Sequence, residues 1–189
     1  MADAGAATRV GILISGRGSN MMALVEQAKG YDVALVASDK PDAAGLAWAK
    51  DHGLATFALS PKGIGKAAYE DAIDAALREA GVEVIALAGY MRLLSDAFVS
   101  RWRGRIVNIH PSLLPLYKGL DTHARALAAG DAFGGCSVHV VTEELDGGEV
   151  LGQAQVAIAA DDTAETLAAR VLHAEHALYP RILTEFVSR

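Results

Sequence analysis

Short runs rich in Val, Ile and Leu recur at residues 10–15, 33–37, 56–59, 82–88 and 106–109. Such runs, apolar at successive positions, read as strands buried on both faces. Residues 20–29, 43–52, 67–80 and 95–102 lie between them and read as helices. In 67–80 the apolar positions Tyr69, Ile73, Ala76 and Leu77 fall at helical spacing, with Glu70, Asp71, Asp74 and Arg78 expected on the opposite side. Strands without a wet face, alternating with helices, predict an α/β, doubly wound, mostly parallel sheet with helices on both faces.

Past residue 109 the pattern changes. A short helix at 123–129 is followed by the alternating segment 136–141, a Gly147-Gly148 turn and a strand at 150–158. This pair predicts an antiparallel edge in the C-terminal part of the sheet. Asp161, Asp162 and Thr163 supply capping groups for a last helix at 164–177, and Pro180 predicts a break before a closing segment. Neither repeats nor linkers interrupt the chain. A length of 189 residues with 52% hydrophobic content predicts one domain, 9–189, behind a flexible Ala-rich tail, 1–8.

A formal charge of -6 argues against nucleic acid or an anionic membrane as partner and leaves small molecules as the expected ligands. The lone cysteine, Cys136, excludes an internal disulfide and fits a reducing, cytoplasmic setting. No run of roughly 18 or more apolar residues is present, so a membrane span is not expected.

Three local motifs carry chemistry. Ser15-Gly16-Arg17-Gly18-Ser19-Asn20 leaves the first strand and opens the first helix, the place and composition of a phosphate cradle. Met21 stands where a dinucleotide fingerprint needs a small third residue, and no Gly-Lys-Ser/Thr follows, so a phosphate monoester fits better than a pyrophosphate. The competing reading is a tight turn with Ser19 as the helix N-cap. Asn108 and His110, two apart at a strand end, project from one face, and Pro111 and Pro115 fix the loop beyond. An amide that donates to an oxyanion and an imidazole that moves protons suit acyl or formyl transfer; a strand cap beside a satisfied histidine is the alternative. Asp146, before Gly147-Gly148, is either aimed at a histidine or part of an ordinary acidic turn. The residues Tyr90 to Leu94 form either core plus a surface arginine or one wall of a pocket for a flat heterocycle. His110, His123, His139 and Asp146 match no common zinc spacing, so no metal is expected. His139 is expected to point into the same cleft or into the core, and Cys136 to be a buried, inert thiol.

Taken together, Ile14 to Asn20, Leu87 to Arg92, Asn108 to Pro115, Ser137 to His139 and Glu144 to Gly148 resemble, in order, the phosphoribosylglycinamide formyltransferases, folate-dependent enzymes of purine synthesis. The resemblance implies a formyltransferase-like Rossmann variant whose N-terminal half binds the phosphate and whose C-terminal half binds folate and carries catalysis. It implies direct transfer, through a tetrahedral intermediate, of the formyl group of 10-formyltetrahydrofolate to the amine of glycinamide ribonucleotide. Asn108, His110 and Asp146 would form the catalytic group, Gly18, Ser19 and Asn20 would hold the substrate phosphate, and Glu175 the ribose hydroxyls. Lys66, Met91, Arg92, Leu93, Leu94, Asn108 and Val141 would line the folate site. Lys66 replaces an arginine common in the family and Asp121 a common histidine, so those two positions depart from the pattern. A monomer or homodimer is expected.

Three alternatives stand beside this reading. A formyltetrahydrofolate hydrolase would use a similar Asn, His and Asp set on water, but leaves the phosphate cradle without a purpose. Methionyl-tRNA formyltransferase shares the feel of Ser112-Leu113-Leu114-Pro115, against which stands the acidic balance of the chain. A non-enzymatic nucleotide-binding module would make Asn108, His110 and Asp146 bystanders.

Overall fold

Strand β1 (Thr8–Ile14) is buried from Val10 onward because strands flank it on both sides. It pairs in parallel with β2 (Tyr31–Ser38) and with β4 (Val84–Leu87), and β2 pairs in parallel with β3 (Thr56–Ala58), giving the order β3-β2-β1-β4. Parallel neighbours need long crossovers, supplied by α1 (Ser19–Glu26), α2 (Ala44–Asp51) and α3 (Lys66–Glu79). The chain moves outward through β2 and β3, then returns to the far side of β1. Such a reversal is the topological switch beside which open α/β sheets bind ligands.

The computed structural model describes residues 7–189. They divide into two units: one holds the chain through Leu93 together with Thr184–Arg189, the other Leu94–Leu183. The tail expected over 1–8 lies mostly outside the described residues, and Thr8 already pairs with Tyr31. The second unit contains α4 (Asp96–Arg101), β5 (Ile106–His110), α5 (Thr122–Ala129), β6 (Phe133–Val140), β7 (Val150–Ala157) and most of α6 (Ala164–Val187). Here β6 runs antiparallel to both β5 and β7, with Asn108 opposite His139 and His110 opposite Ser137. The antiparallel pairing expected near the C-terminus therefore takes in β5 as well as the β6–β7 pair. No helix among the described residues is long and apolar enough to cross a membrane.

The helix caps follow the sequence in part. Ser95 Oγ accepts from Phe98 N at 3.2 Å and caps α4. Thr163 and Thr166 cap α6 reciprocally, Thr166 N donating to Thr163 Oγ1 at 3.3 Å and Thr163 N to Thr166 Oγ1 at 2.9 Å. Asp162 accepts from Arg170, from Ala159 N and from Thr166, contacts that hold its carboxyl down at about 2, the Arg170 bond contributing most.

Two expectations are corrected. Glu70 and Asp74, placed on the solvent side of α3, are buried alongside Tyr69, Ile73 and Leu77. They are helical neighbours of that stripe, and Asp74 enters with Arg78 Nε at 3.0 Å as partner. Pro180 does not end the last helix, which continues through it to Val187. A proline inside a helix costs about 3 kcal/mol. Leu178, Tyr179, Ile182 and Leu183 around it are all buried, and burying such side chains contributes about 1.5–3 kcal/mol each. Packing outweighs the local rule.

Candidate active site

In the first unit the ends of three strands meet at one hydroxyl. Ser15, after β1, is buried; its Oγ donates to Asp39 Oδ1 past β2 at 2.6 Å and accepts from Met91 N past β4 at 2.9 Å. The glycine-rich turn that follows opens α1. Gly18 is its N-cap at φ 75, with no side-chain cap bond, so Ser19 begins the helix instead of capping it. A side chain at Gly18 would meet Met21 Cε at 3.0 Å and the Gly45 backbone at 3.3 Å. The first bond of α1 runs from Met22 N to Gly18 O at 2.8 Å, leaving the amides of Ser19 and Asn20 ahead of the helical ladder. These are the groups a cradle presents to an anion.

Gly45, which the sequence reading passed over, supports that turn from the start of α2. Its N–H donates to Gly16 O at 3.0 Å. A Cβ there would stand 2.5 Å from Ile14 Cδ1 and 3.1 Å from the Gly16 and Arg17 oxygens. Overpacking of this kind costs about 1–3 kcal/mol. Gly45→Ala is therefore expected to lower the thermal unfolding midpoint by several degrees and to weaken binding of a phosphate ester, measured by calorimetry.

Beyond β4, Met91 and Leu93 are 68% exposed, a wall of apolar side chains at a strand end and not core. Arg92 lies over the Tyr69 ring at 5.3 Å, and Tyr69 and Tyr90 share a 2.9 Å hydrogen bond between their hydroxyls. Burial, followed by the bond to Tyr69, pushes the Tyr90 phenol up and keeps it protonated. Lys66 is exposed at the first position of α3.

In the second unit the chemistry gathers around one carboxylate. Asp146 Oδ2 lies 3.4 Å from His110 Nδ1 and Oδ1 lies 3.5 Å from His139 Nε2, all three side chains being more than nine-tenths buried. Gly119 N–H donates to Oδ2 at 2.9 Å. His110 Nε2–H donates to Tyr117 O at 2.9 Å, since a carbonyl only accepts, so a proton arriving at Nδ1 meets a carboxylate. His139 Nδ1–H donates to Val140 O at 3.0 Å. Its Nε2 meets both the Asn108 amide Nδ2 at 3.3 Å and Asp146 Oδ1 at 3.5 Å. The cross-strand pairing of Asn108 with His139 makes this contact possible. His139, for which cleft and core both stood open, thus belongs to the cluster and orients Asn108.

Asp146 reaches the pair from the turn at 144–147, closed by Gly147 N to Glu144 O at 3.1 Å, and sits at φ 48. Asp tolerates that left-handed conformation better than most residues. Burial raises its carboxyl, but the hydrogen bonds from His139 and Gly119 and the charges of both histidines outweigh it and hold the group below its usual value. A carboxylate whose folded value is depressed stabilises the fold above the ordinary carboxylate range and loses that contribution as pH falls through the folded value. Asp146→Asn is expected to reduce stability near pH 7, with the deficit against wild type shrinking toward pH 3 in urea titrations.

The loop beyond His110 is pinned from β6 and β7. Ser137 Oγ donates to Ser112 O at 2.7 Å and accepts from Leu114 N at 3.0 Å, while Gln153 Nε2 donates to Leu114 O at 2.9 Å. Thus Ser137 and His139, two apart on one strand face, hold the loop and the amide in turn. Val141 follows β6, its N–H bonded to Ile106 O at 2.8 Å, and Leu94 opens the unit, half-buried. Glu175 is buried on α6, close enough to Cys136 that, after burial itself, its charge helps push the thiol up to about 12. Cys136 is buried and unpaired, as expected. Burial and the neighbouring His110 charge lower His123. Among the described residues no three of His, Cys, Asp and Glu are grouped to hold a metal ion.

An oriented amide, an imidazole and a shared buried carboxylate at one strand end, on an α/β scaffold with a phosphate-type turn, define an enzyme of the acyl-transfer class. The profile of the formyl transferase family matches residues 8–183, and the chain belongs to that family. It is 45% identical to phosphoribosylglycinamide formyltransferase of Escherichia coli over 180 residues, 93% of this chain and 85% of that protein. It is also 44% identical to the trifunctional purine biosynthetic protein adenosine-3 of Drosophila melanogaster, of whose length it spans 14%. The crystal structure of phosphoribosylglycinamide formyltransferase from Brucella melitensis matches it with a TM-score of 0.92 at 52% identity, covering 97% of each chain.

Proposed function

We propose that the chain transfers the formyl group of 10-formyltetrahydrofolate to the amine of glycinamide ribonucleotide, giving formylglycinamide ribonucleotide and tetrahydrofolate in purine synthesis. The observation that carries this reading is Asp146 held between His110 and His139, with the Asn108 amide set by the latter. Asn108 donates to the oxyanion as the amine attacks the formyl carbon, where preorganised donors are most effective. His110 relays protons between the attacking amine and the departing folate nitrogen, and Asp146 stabilises the imidazolium.

Gly18, Ser19 and Asn20 take the substrate phosphate at the start of α1, and Glu175 the ribose hydroxyls. The folate contacts fall to Lys66, Met91, Arg92 and Leu93 in the first unit and to Leu94, Asn108 and Val141 in the second. Their apolar and amide groups fit a flat, hydrogen-bonding ring, and no metal enters the scheme. One formyl transferase domain, acting on small molecules in the cytoplasm as monomer or homodimer, completes the reading.

The test is an absorbance assay for released tetrahydrofolate, with and without glycinamide ribonucleotide. Release that depends on the amine is expected; equal release without it, with formate produced, would establish a hydrolase.

A further inference from the structure

We propose that Arg125 is a positioning residue for formyl transfer, holding the stretch 117–119 against His110 and Asp146. The inference rests on the function proposed above for those two residues. Tyr117 O accepts from His110 Nε2–H at 2.9 Å, and Gly119 N–H donates to Asp146 Oδ2 at 2.9 Å. Three consecutive residues therefore fix both members of the pair, one through an acceptor and one through a donor. The stretch is not held by its own preferences. Tyr117 has a φ of 53, a conformation that an aromatic side chain adopts only when its surroundings impose it.

Arg125, in the first turn of α5, supplies that constraint. Its Nη1 donates to Lys118 O at 2.7 Å and to Leu120 O at 3.2 Å, bracketing Gly119. Its guanidinium lies over the Tyr117 ring at 5.2 Å. The Tyr117 hydroxyl donates to Asp131 Oδ2 at 2.6 Å, and Lys118 Nζ is 2.7 Å from Glu144 Oε1, beside the turn that carries Asp146. A fork that satisfies two carbonyls and covers an aromatic face is chemistry lysine reproduces only in part. The charged and titratable groups around the pair are His139 on β6, His123 on α5 and the Lys118–Glu144 bridge.

The test compares wild type with Arg125→Ala, Arg125→Lys and Tyr117→Phe. Small misplacement of catalytic groups costs up to about a hundredfold. In Arg125→Ala, kcat is expected to fall about tenfold to a hundredfold with KM for both substrates within about threefold. The acidic limb of the pH–rate profile should move toward neutral pH, because Asp146 loses the Gly119 donor that depresses it. Arg125→Lys should restore part of kcat, and Tyr117→Phe, which leaves the backbone carbonyl in place, should show a smaller loss in the same direction. Carbon-detected NMR titration of the Asp146 carboxyl reads the same contact without turnover, so it decides the inference even if wild type transfers no formyl group. A raised Asp146 midpoint in Arg125→Ala, or in Tyr117→Phe should the first variant not fold, supports the proposal. An unmoved midpoint and pH limb, whether or not the melting temperature falls, overturns it.

Discussion

Asn108→Ala is expected to lower kcat by about a hundredfold to a thousandfold, the usual cost of deleting one oxyanion donor. The loss should fall on kcat and on kcat/KM alike, because in the proposed reaction the amide meets charge that develops only in the transition state. Asn108 is half-buried and its side chain contacts His139 Nε2 at 3.3 Å. The melting temperature should therefore change little, and glycinamide ribonucleotide should bind as before. Steady-state kinetics with thermal unfolding separates the two quantities. Turnover within about fivefold of wild type would remove Asn108 from the reaction.

His110→Ala is expected to cost about a hundredfold to ten-thousandfold in kcat, the range for a positioned proton-transfer group. It also removes the group between Tyr117 O and Asp146. Asp146 keeps Gly119 N–H at 2.9 Å and His139 at 3.5 Å, so its buried charge remains partnered and the fold should survive. His110→Gln, which can still donate to Tyr117 O but does not titrate, should be equally inactive. If the glutamine variant retains activity, the proton relay lies elsewhere.

Much of this was legible in the sequence, and for definite physical reasons. The continuous apolar runs of β1, β2 and β4 announced buried parallel strands. The two-residue spacing of Asn108 and His110 put both on one face of β5, because side-chain alternation in a strand leaves no other choice. Gly147-Gly148 announced a turn, but nothing local told where Asp146 would point. Its aim depends on the register of β5 against β6, which also brings His139 opposite Asn108. Long-range pairing of that kind leaves no mark within a motif.

The misses have the same origin. Tyr117 carries the left-handed conformation where no glycine advertises it, and Arg125 reads as an ordinary surface charge on α5. Asp39 was passed over although it follows a strand end, since only the fold sets it 2.6 Å from Ser15 Oγ. Pro180 obeyed burial and not its local preference. Glu70 and Asp74 turned inward because the buried stripe of α3 is wider than its apolar residues.

The central claim is that one centre built on Asn108, His110 and Asp146 passes the formyl group directly between two substrates. The most direct measurement follows the carbon itself, by NMR with 10-formyltetrahydrofolate labelled at the formyl carbon and unlabelled glycinamide ribonucleotide. The label should pass to the glycinamide nitrogen in equal amount to the tetrahydrofolate formed, at a rate that drops with Asn108→Ala. Label appearing as free formate, or passing to the amine at an unchanged rate in that variant, would contradict it.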